Sequence, residues 1–503
     1  MTSGDGARSR YHSPMSITPA QTDELRRLAA NAMRAHGLLP DFSPAALSEA
    51  NAATAAVSST GADLRDLRGL LWSSIDNDDS LDLDQIEVAE ALEGGTFRLM
   101  VGIADVDSVV KLGSAVDEHA RANTTSVYTA AAIYAMLPER LSTNLTSLAQ
   151  DQDRLCVVVE MTVDADGTLG RSTIYRALVR NRAKLAYRSV AAWLQGTSAA
   201  PPRVEAVAGL QAQLRVQDSI AQVLKRQRRN KGALEFETAE NRAVYDGGAL
   251  IDLQADPKNR AQELIEEFMI AANGVTARYL QLNGRTSLRR ILRTPKRWDR
   301  IVQLAKDVGE RLPDAPDAIA LNAFLLKRRE SNPVQFPDLS LAVIKCLGAG
   351  EYVAQHSGQM PQGHFGLAVR DYTHSTAPNR RFPDLLTQRL LKAVLSNQPA
   401  PYSEIELPAL AAHCTEQEGN AKKVERQIEK SAAAMLLGSR IGARFEGIVT
   451  GASEKGTWVR IESPGAEGRV VKDFHGFDVG DHVHVQLLHV DVARGFIDFA
   501  GVK

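Results

Sequence analysis

The stretch Ser74–Glu87, SIDNDDSLDLDQIE, decides how this chain is read. Five aspartates fall within nine positions (Asp76, Asp78, Asp79, Asp82 and Asp84), with Ile75, Leu81 and Leu83 threaded between them. Asp82 and Asp84 are two residues apart. On extended backbone they leave the same face, roughly 7 Å from each other. At an effective dielectric of about 20, two such charges repel by about 2 kcal/mol. Several together call for a cation, and carboxylates with no His or Cys nearby suit a hard one, Mg2+ or Mn2+. A solvated acidic loop is the plain alternative. An EF-hand is another, because oxygen-bearing residues stand at positions 1, 3, 5, 7 and 9 counted from Asp76, with Glu87 at position 12. Leu81 occupies position 6, where that loop needs glycine, and the flanks LLWSSI and QIEVAEAL are not two long amphipathic helices.

A chain of 503 residues predicts two to four domains, and 44% hydrophobic with 24% charged residues is ordinary globular composition. There is no apolar run of membrane length and no basic leader followed by an apolar core. Cys156, Cys346 and Cys414 are scattered, with neither metal spacing nor a disulfide framework. These features point to the reducing cytoplasm and away from a membrane. A net charge of −2 argues against a generic nucleic-acid binder. Positive charge is nonetheless clustered at Arg171–Arg188, Lys225–Lys231 and Arg289–Arg297, which permits a basic channel.

Residues 1 to 16 are rich in Ser, Gly and Arg and read as disordered. Thr18 caps a helical pattern that stops at Gly37, and a second short helix begins near Ser43. A helix-turn-helix-like unit is the reading for this region. Phe97–Asp107 and Leu155–Val163 are buried strands, the second ending at the turn Asp164–Gly167. Ala261–Tyr279 is an amphipathic helix with Leu264, Phe268 and Ala272 on one face. Thr415–Leu437 is a charged bridging helix. Beyond Gly442 the segments RFEGIVTG, GTWVRIE, HVHVQLLHV and GFIDFA alternate between Gly-bearing turns. They predict a five-stranded OB-type barrel with one strand unplaced. Phe445, Trp458, Arg460, Phe474 and His475 are its candidates for base stacking and phosphate contact, or else barrel interior and loop.

A second long signature covers His364–Leu390, HFGLAVRDYTHSTAPNRRFPDLLTQRL. Arg380 and Arg381 stand there on a Pro-initiated segment, suited to bidentate phosphate contact. This block and the D-x5-D-x-D spacing of Asp76, Asp82 and Asp84 together resemble the ribonuclease II (RNB) family of hydrolytic 3′→5′ exoribonucleases. The resemblance covers about residues 63 to 503 and implies an α+β multidomain chain. Its parts are a helical region over 1–62, a mixed RNB catalytic domain over 63–437 and an S1-like OB-fold barrel over 438–503. It further implies that Asp76, Asp82 and Asp84 hold Mg2+, or Mn2+ in its place, and that Arg380 stabilises developing negative charge. Tyr187 falls at the family's active-site tyrosine, Phe236 is a base-stacking aromatic, and Glu266 is an active-site carboxylate, or Glu267 if the register is off by one. The implied substrate is single-stranded RNA, degraded processively to nucleoside 5′-monophosphates by a monomer. Family members often carry two cold-shock barrels ahead of the catalytic domain; here there is neither room nor a strand pattern for them. Where the family pattern continues D-x-D-D, this chain has Gln85, one charge fewer. A catalytically inactive RNA-binding protein on the same scaffold is the rival reading. A DNA-binding regulator would leave the acidic stretch unexplained.

Overall fold

The computed structural model describes residues 17–54, 64–237, 241–246, 249–255, 257–333, 335–453 and 456–502. The leader expected to be disordered lies outside them. Seven strands form the central sheet: β1 (Leu64–Asp66), β2 (Ser73–Asp76), β3 (Gln85–Ala91), β4 (Phe97–Ala104), β5 (Asp153–Val163), β6 (Leu169–Arg180) and β7 (Ala183–Ala186). Their order is β1-β6-β5-β4-β3-β2-β7. The middle of the sheet is antiparallel, whereas β1 joins β6 and β7 joins β2 in parallel. In β4, Leu99 to Ala104 are all buried, as expected of a central strand covered on both faces.

Among the helices are α1 (Pro19–Ala35), α2 (Pro44–Ala52), α3 (Ala115–Asn123), α4 (Tyr187–Leu194), α5 (Leu210–Asn230), α6 (Arg260–Leu282), α7 (Phe382–Leu395) and α8 (Glu406–Leu437), of which α5 and α6 pack on this sheet. In α6, Leu264, Phe268 and Ala272 are completely buried, as the period of the sequence requires. Thr18 caps α1 through a capping box with Gln21, and Gly37 has the left-handed φ of +74° that ends it. The two N-terminal helices are not free-standing. Leu25, Ala29 and Met33 of α1 share one apolar core with α8 and the C-terminal barrel, and α2 packs on α3.

That barrel is closed by β8 (Arg444–Ser453), β9 (Gly456–Glu462), β10 (Gly465–Lys472), β11 (His482–Asp491) and β12 (Phe496–Val502), in the order β8-β9-β10-β12-β11. The strand missing from the sequence reading is β10, GAEGRVVK. Its glycines hide the alternation, and Gly468 is needed because a Cβ there would come within 2.4 Å of the Phe499 ring. Among the described residues no helix is long and apolar enough to cross a membrane.

One buried histidine ties the N-terminal helices to the body. Asn123 accepts from the Leu39 N–H at 2.8 Å and donates to the Leu39 carbonyl at 2.8 Å, which fixes its amide. Its NH2 therefore faces His119 Nε2 at 3.2 Å, so that nitrogen accepts and the ring is neutral. Burial pushes the His119 pKa down from 6.5 to about 4. The unfolded chain then binds a proton near pH 6.5 that the folded chain refuses until about pH 4, so stability falls as pH drops through this window. Urea unfolding of wild type and His119→Gln at pH 7 and pH 5 should show an extra wild-type loss of about 1 to 2 kcal/mol at pH 5. An equal loss in both proteins would show that His119 is not the acid-sensitive group.

Candidate active site

Strand β2 ends at Asp76, and the chain returns to β3 through the acidic loop. The loop is pinned from below: the Ser147 hydroxyl donates to the Leu81 carbonyl at 2.6 Å and accepts from the Leu83 N–H at 3.1 Å. The Leu148 N–H donates to the Leu83 carbonyl at 2.9 Å. These bonds bury Leu83 and Asp84 and leave Leu81 outside at 62% exposure.

The second signature is folded around Asp384 in the first turn of α7. Its carboxylate accepts from the Thr376 and Ala377 N–H groups at 2.7 and 2.8 Å and from the Arg381 guanidinium at 2.7 and 2.9 Å. Asn379 is held by Thr146, whose hydroxyl donates to its side-chain oxygen at 2.6 Å. The turn so built presents the Asn379 N–H to Asp84 Oδ1 at 2.8 Å and Arg380 Nε to Asp84 Oδ2 at 3.1 Å. Two motifs 296 residues apart in the chain thus meet at one carboxylate. Burial pushes the Asp84 pKa up to about 7, against the pull of Arg380. Asp82 is also raised, by burial first and by Asp76 in part.

Arg380 and Asp76 line a cleft of about 950 Å³, together with Tyr187, Phe236 and Glu266. Tyr187 begins α4 where β7 ends, and burial followed by the charge of Asp76 raises its pKa. Glu266 and Glu267 both line the cleft but differ in setting. Glu266 pairs with Lys258, whereas Glu267 is 3% exposed and locked to Arg228.

The remaining expectations fare unevenly. Arg381 does not join Arg380 in a clamp, because its guanidinium is taken by Asp384. Phe445 is inside the barrel, 7% exposed and edge-on to Phe499, so it is core and offers no stacking face. Arg460 pairs with Asp338 at 3.2 Å and joins the barrel to the helix Phe336–Leu347. Trp458 is half-buried, and the exposed His475 ring lies 5.0 Å from the Phe474 ring, leaving these three as the barrel's accessible aromatics among the candidates. The basic clusters are neutralised in part. Lys225 meets Glu263, Arg229 meets Glu235, Arg290 meets Glu418 and Arg293 meets Glu351. Sequence reading missed Asp384 and also Tyr128, which feels the charges of Arg380, Asp82 and Asp84. Asp384 could have been found as the acidic residue in the first turn of a helix starting at Phe382.

Among the described residues no three His, Cys, Asp or Glu side chains converge to hold a metal ion as they stand. Of the expected trio, Asp84 already has hydrogen bonds to both oxygens. The donor chemistry still fits a hard cation. Glu87 is fully buried beside this cluster with no hydrogen-bond partner for either carboxylate oxygen, and burial and Asp76 raise its pKa. An ionised carboxylate in that condition is strongly disfavoured unless a positive charge offsets it.

Fold and site define a chain of the class that joins a carboxylate–arginine centre in a mixed α/β body to an OB-type barrel. The RNB domain model matches residues 64–397, and the model of the RNase II-type exonuclease C-terminal S1 domain matches residues 443–502. The chain belongs to the RNB family. Ribonuclease R of Thermotoga maritima is 30% identical over 468 residues, covering 87% of this chain and 65% of that protein. Ribonuclease R of Escherichia coli is 29% identical over 475 residues, covering 86% and 57%. The chain thus spans less than two thirds of the length of either relative. Among solved structures, Mycoplasma genitalium RNase R in complex with ribose methylated single-stranded RNA has a TM-score of 0.84 at 22% identity, covering 95% of this chain and 78% of that one. Yeast Ssd1, a pseudonuclease, has a TM-score of 0.64 at 19% identity, covering 85% and 53%. The fold is therefore shared with an inactive protein, and activity has to be judged from the site.

Proposed function

We propose that this protein is a hydrolytic 3′→5′ exoribonuclease that degrades single-stranded RNA processively to nucleoside 5′-monophosphates. The observation that carries this reading is the convergence of Asp84 and Arg380 beside the cleft that holds Asp76, Tyr187, Phe236 and Glu266. A site in decay would be expected to lose one of these partners. Here each is present, which favours the enzyme over the binding-only scaffold.

In this reading the 3′-terminal bases stack on Phe236, and Tyr187 lines the same cleft. Arg380 keeps 44% of its side chain exposed, and it meets the charge that develops on the scissile phosphate. Glu266, steadied by Lys258, lies where the terminal nucleotide departs. The barrel, through Trp458, Phe474 and His475, holds the RNA backbone and bases upstream without reading sequence. Asp76, Asp82 and Asp84 would hold Mg2+, with Mn2+ as a substitute. That ion, when bound, supplies Lewis-acid activation of water and phosphate. We place the protein in the cytoplasm as a monomer.

The test is a 5′-labelled single-stranded RNA incubated with protein and Mg2+, beside an Asp84→Asn control. A ladder shrinking from the 3′ end, absent in the control, is the expected result. Tight binding with intact RNA in both samples would leave only the binding protein. Charge at the metal site can be probed separately. Gln85→Asp should lower the Mg2+ concentration needed for half-maximal rate by roughly tenfold, since affinity follows ligand charge. An unchanged or higher requirement would overturn the charge argument.

A further inference from the structure

Gln85 leaves the centre one negative charge short of the RNB pattern. Two residues on, in the same strand, Glu87 has no exposed surface and no hydrogen-bond partner for its carboxylate among the described residues. Its cross-strand neighbour is Ser73, whose hydroxyl is likewise buried and unpartnered. Gln217 of α5 reaches Glu87 only at the backbone, its amide donating to the Glu87 carbonyl at 3.5 Å. Among the described residues no hydrogen bond therefore compensates the acid, whereas a purely structural buried carboxylate would be hydrogen-bonded.

Its placement supplies a reason. Residues 85 and 87 leave β3 on the same face, so Glu87 stands directly behind Gln85 with a side chain one methylene longer than aspartate. Asp76 ends the adjacent strand β2, three residues beyond Ser73. Asp76 acts electrostatically on Glu87, and Tyr187 feels both charges. We propose that Glu87 supplies the metal site with the carboxylate that position 85 lacks, facing the ion together with Asp76. This deepens the metal-dependent reading above and rests on it.

The experiment is calorimetric titration of RNA-free protein with MnCl2, which needs no activity. The proteins are wild type, Glu87→Gln, Gln85→Asp and the double variant Gln85→Asp/Glu87→Gln. Glu87→Gln should weaken Mn2+ binding roughly 10- to 100-fold, the usual effect of losing a carboxylate at or next to a metal. The double variant should recover wild-type affinity, because the charge has merely moved two positions. Equal affinity in Glu87→Gln and wild type overturns the proposal, as does a double variant no better than Glu87→Gln. If Glu87→Gln does not fold, Glu87→Asp carries the test. A melting temperature like wild type with weaker Mn2+ binding supports the proposal, and unchanged binding overturns it. Absence of Mn2+ binding by wild type itself would defeat the metal reading together with this one.

Discussion

Asp84→Asn is expected to lower the rate of RNA shortening by roughly a thousandfold or more, while binding of single-stranded RNA persists. Asparagine matches the size of aspartate, and its oxygen can still accept from the Asn379 N–H. Its NH2, however, would then face the Arg380 guanidinium, a donor set against a donor. The substitution therefore removes a charge from the cluster and releases the arginine from its position. Asp84 is 1% exposed and does not depend on solvent for its geometry, so thermal unfolding should stay cooperative. Gel shift, single-turnover RNA shortening and a melting curve on the same sample separate these effects. Shortening within tenfold of wild type would remove Asp84 from the reaction.

Arg380→Lys should cost roughly a hundred- to a thousandfold in kcat with a much smaller change in KM. Lysine keeps the charge but offers a point where the guanidinium offers a fork. It cannot hold Asp84 through Nε and meet a phosphate with its remaining N–H groups at once. Arg381→Lys is the natural comparison. That guanidinium bonds Asp384, which in turn fixes the Thr376 and Ala377 N–H groups, so its loss should appear first in the melting temperature. Steady-state kinetics on a short single-stranded RNA would decide between the two. A lysine at 380 that retained wild-type kcat would show that charge alone suffices there.

The sequence carried most of this site because its two halves are continuous stretches. Asp76 to Asp84 and His364 to Leu390 each hold their chemistry within one segment, and the alternating strands of the barrel are local patterns too. What escaped depends on which side chain each group meets once the chain is folded, whether the partner is near in sequence or far. The Lys225–Lys231 cluster looks like a basic face until Glu235 and Glu263 are seen against it. Arg381 looks like half of a phosphate clamp until Asp384 is seen to hold it. Phe445 alternates like any strand aromatic, and only barrel closure decides that it points inward against Phe499. Glu87 drew notice only as position 12 of an EF-hand-like count, and only the cover provided by α5 shows it to be a buried, unpartnered acid. Strand β10 failed for a different reason: glycines at 465 and 468 erase the apolar period, and the second serves close packing against Phe499.

The separation of 296 positions between Asp84 and Arg380 bears on synthesis as well as on geometry. A ribosome making this protein exposes the acidic strand early and the arginine turn late. Until that turn has emerged and docked, the chain displays carboxylates without the cation-bearing side chain that completes them. If the protein is the exoribonuclease proposed above, a prematurely terminated product would therefore be inert toward the message that encodes it, with no inhibitor required.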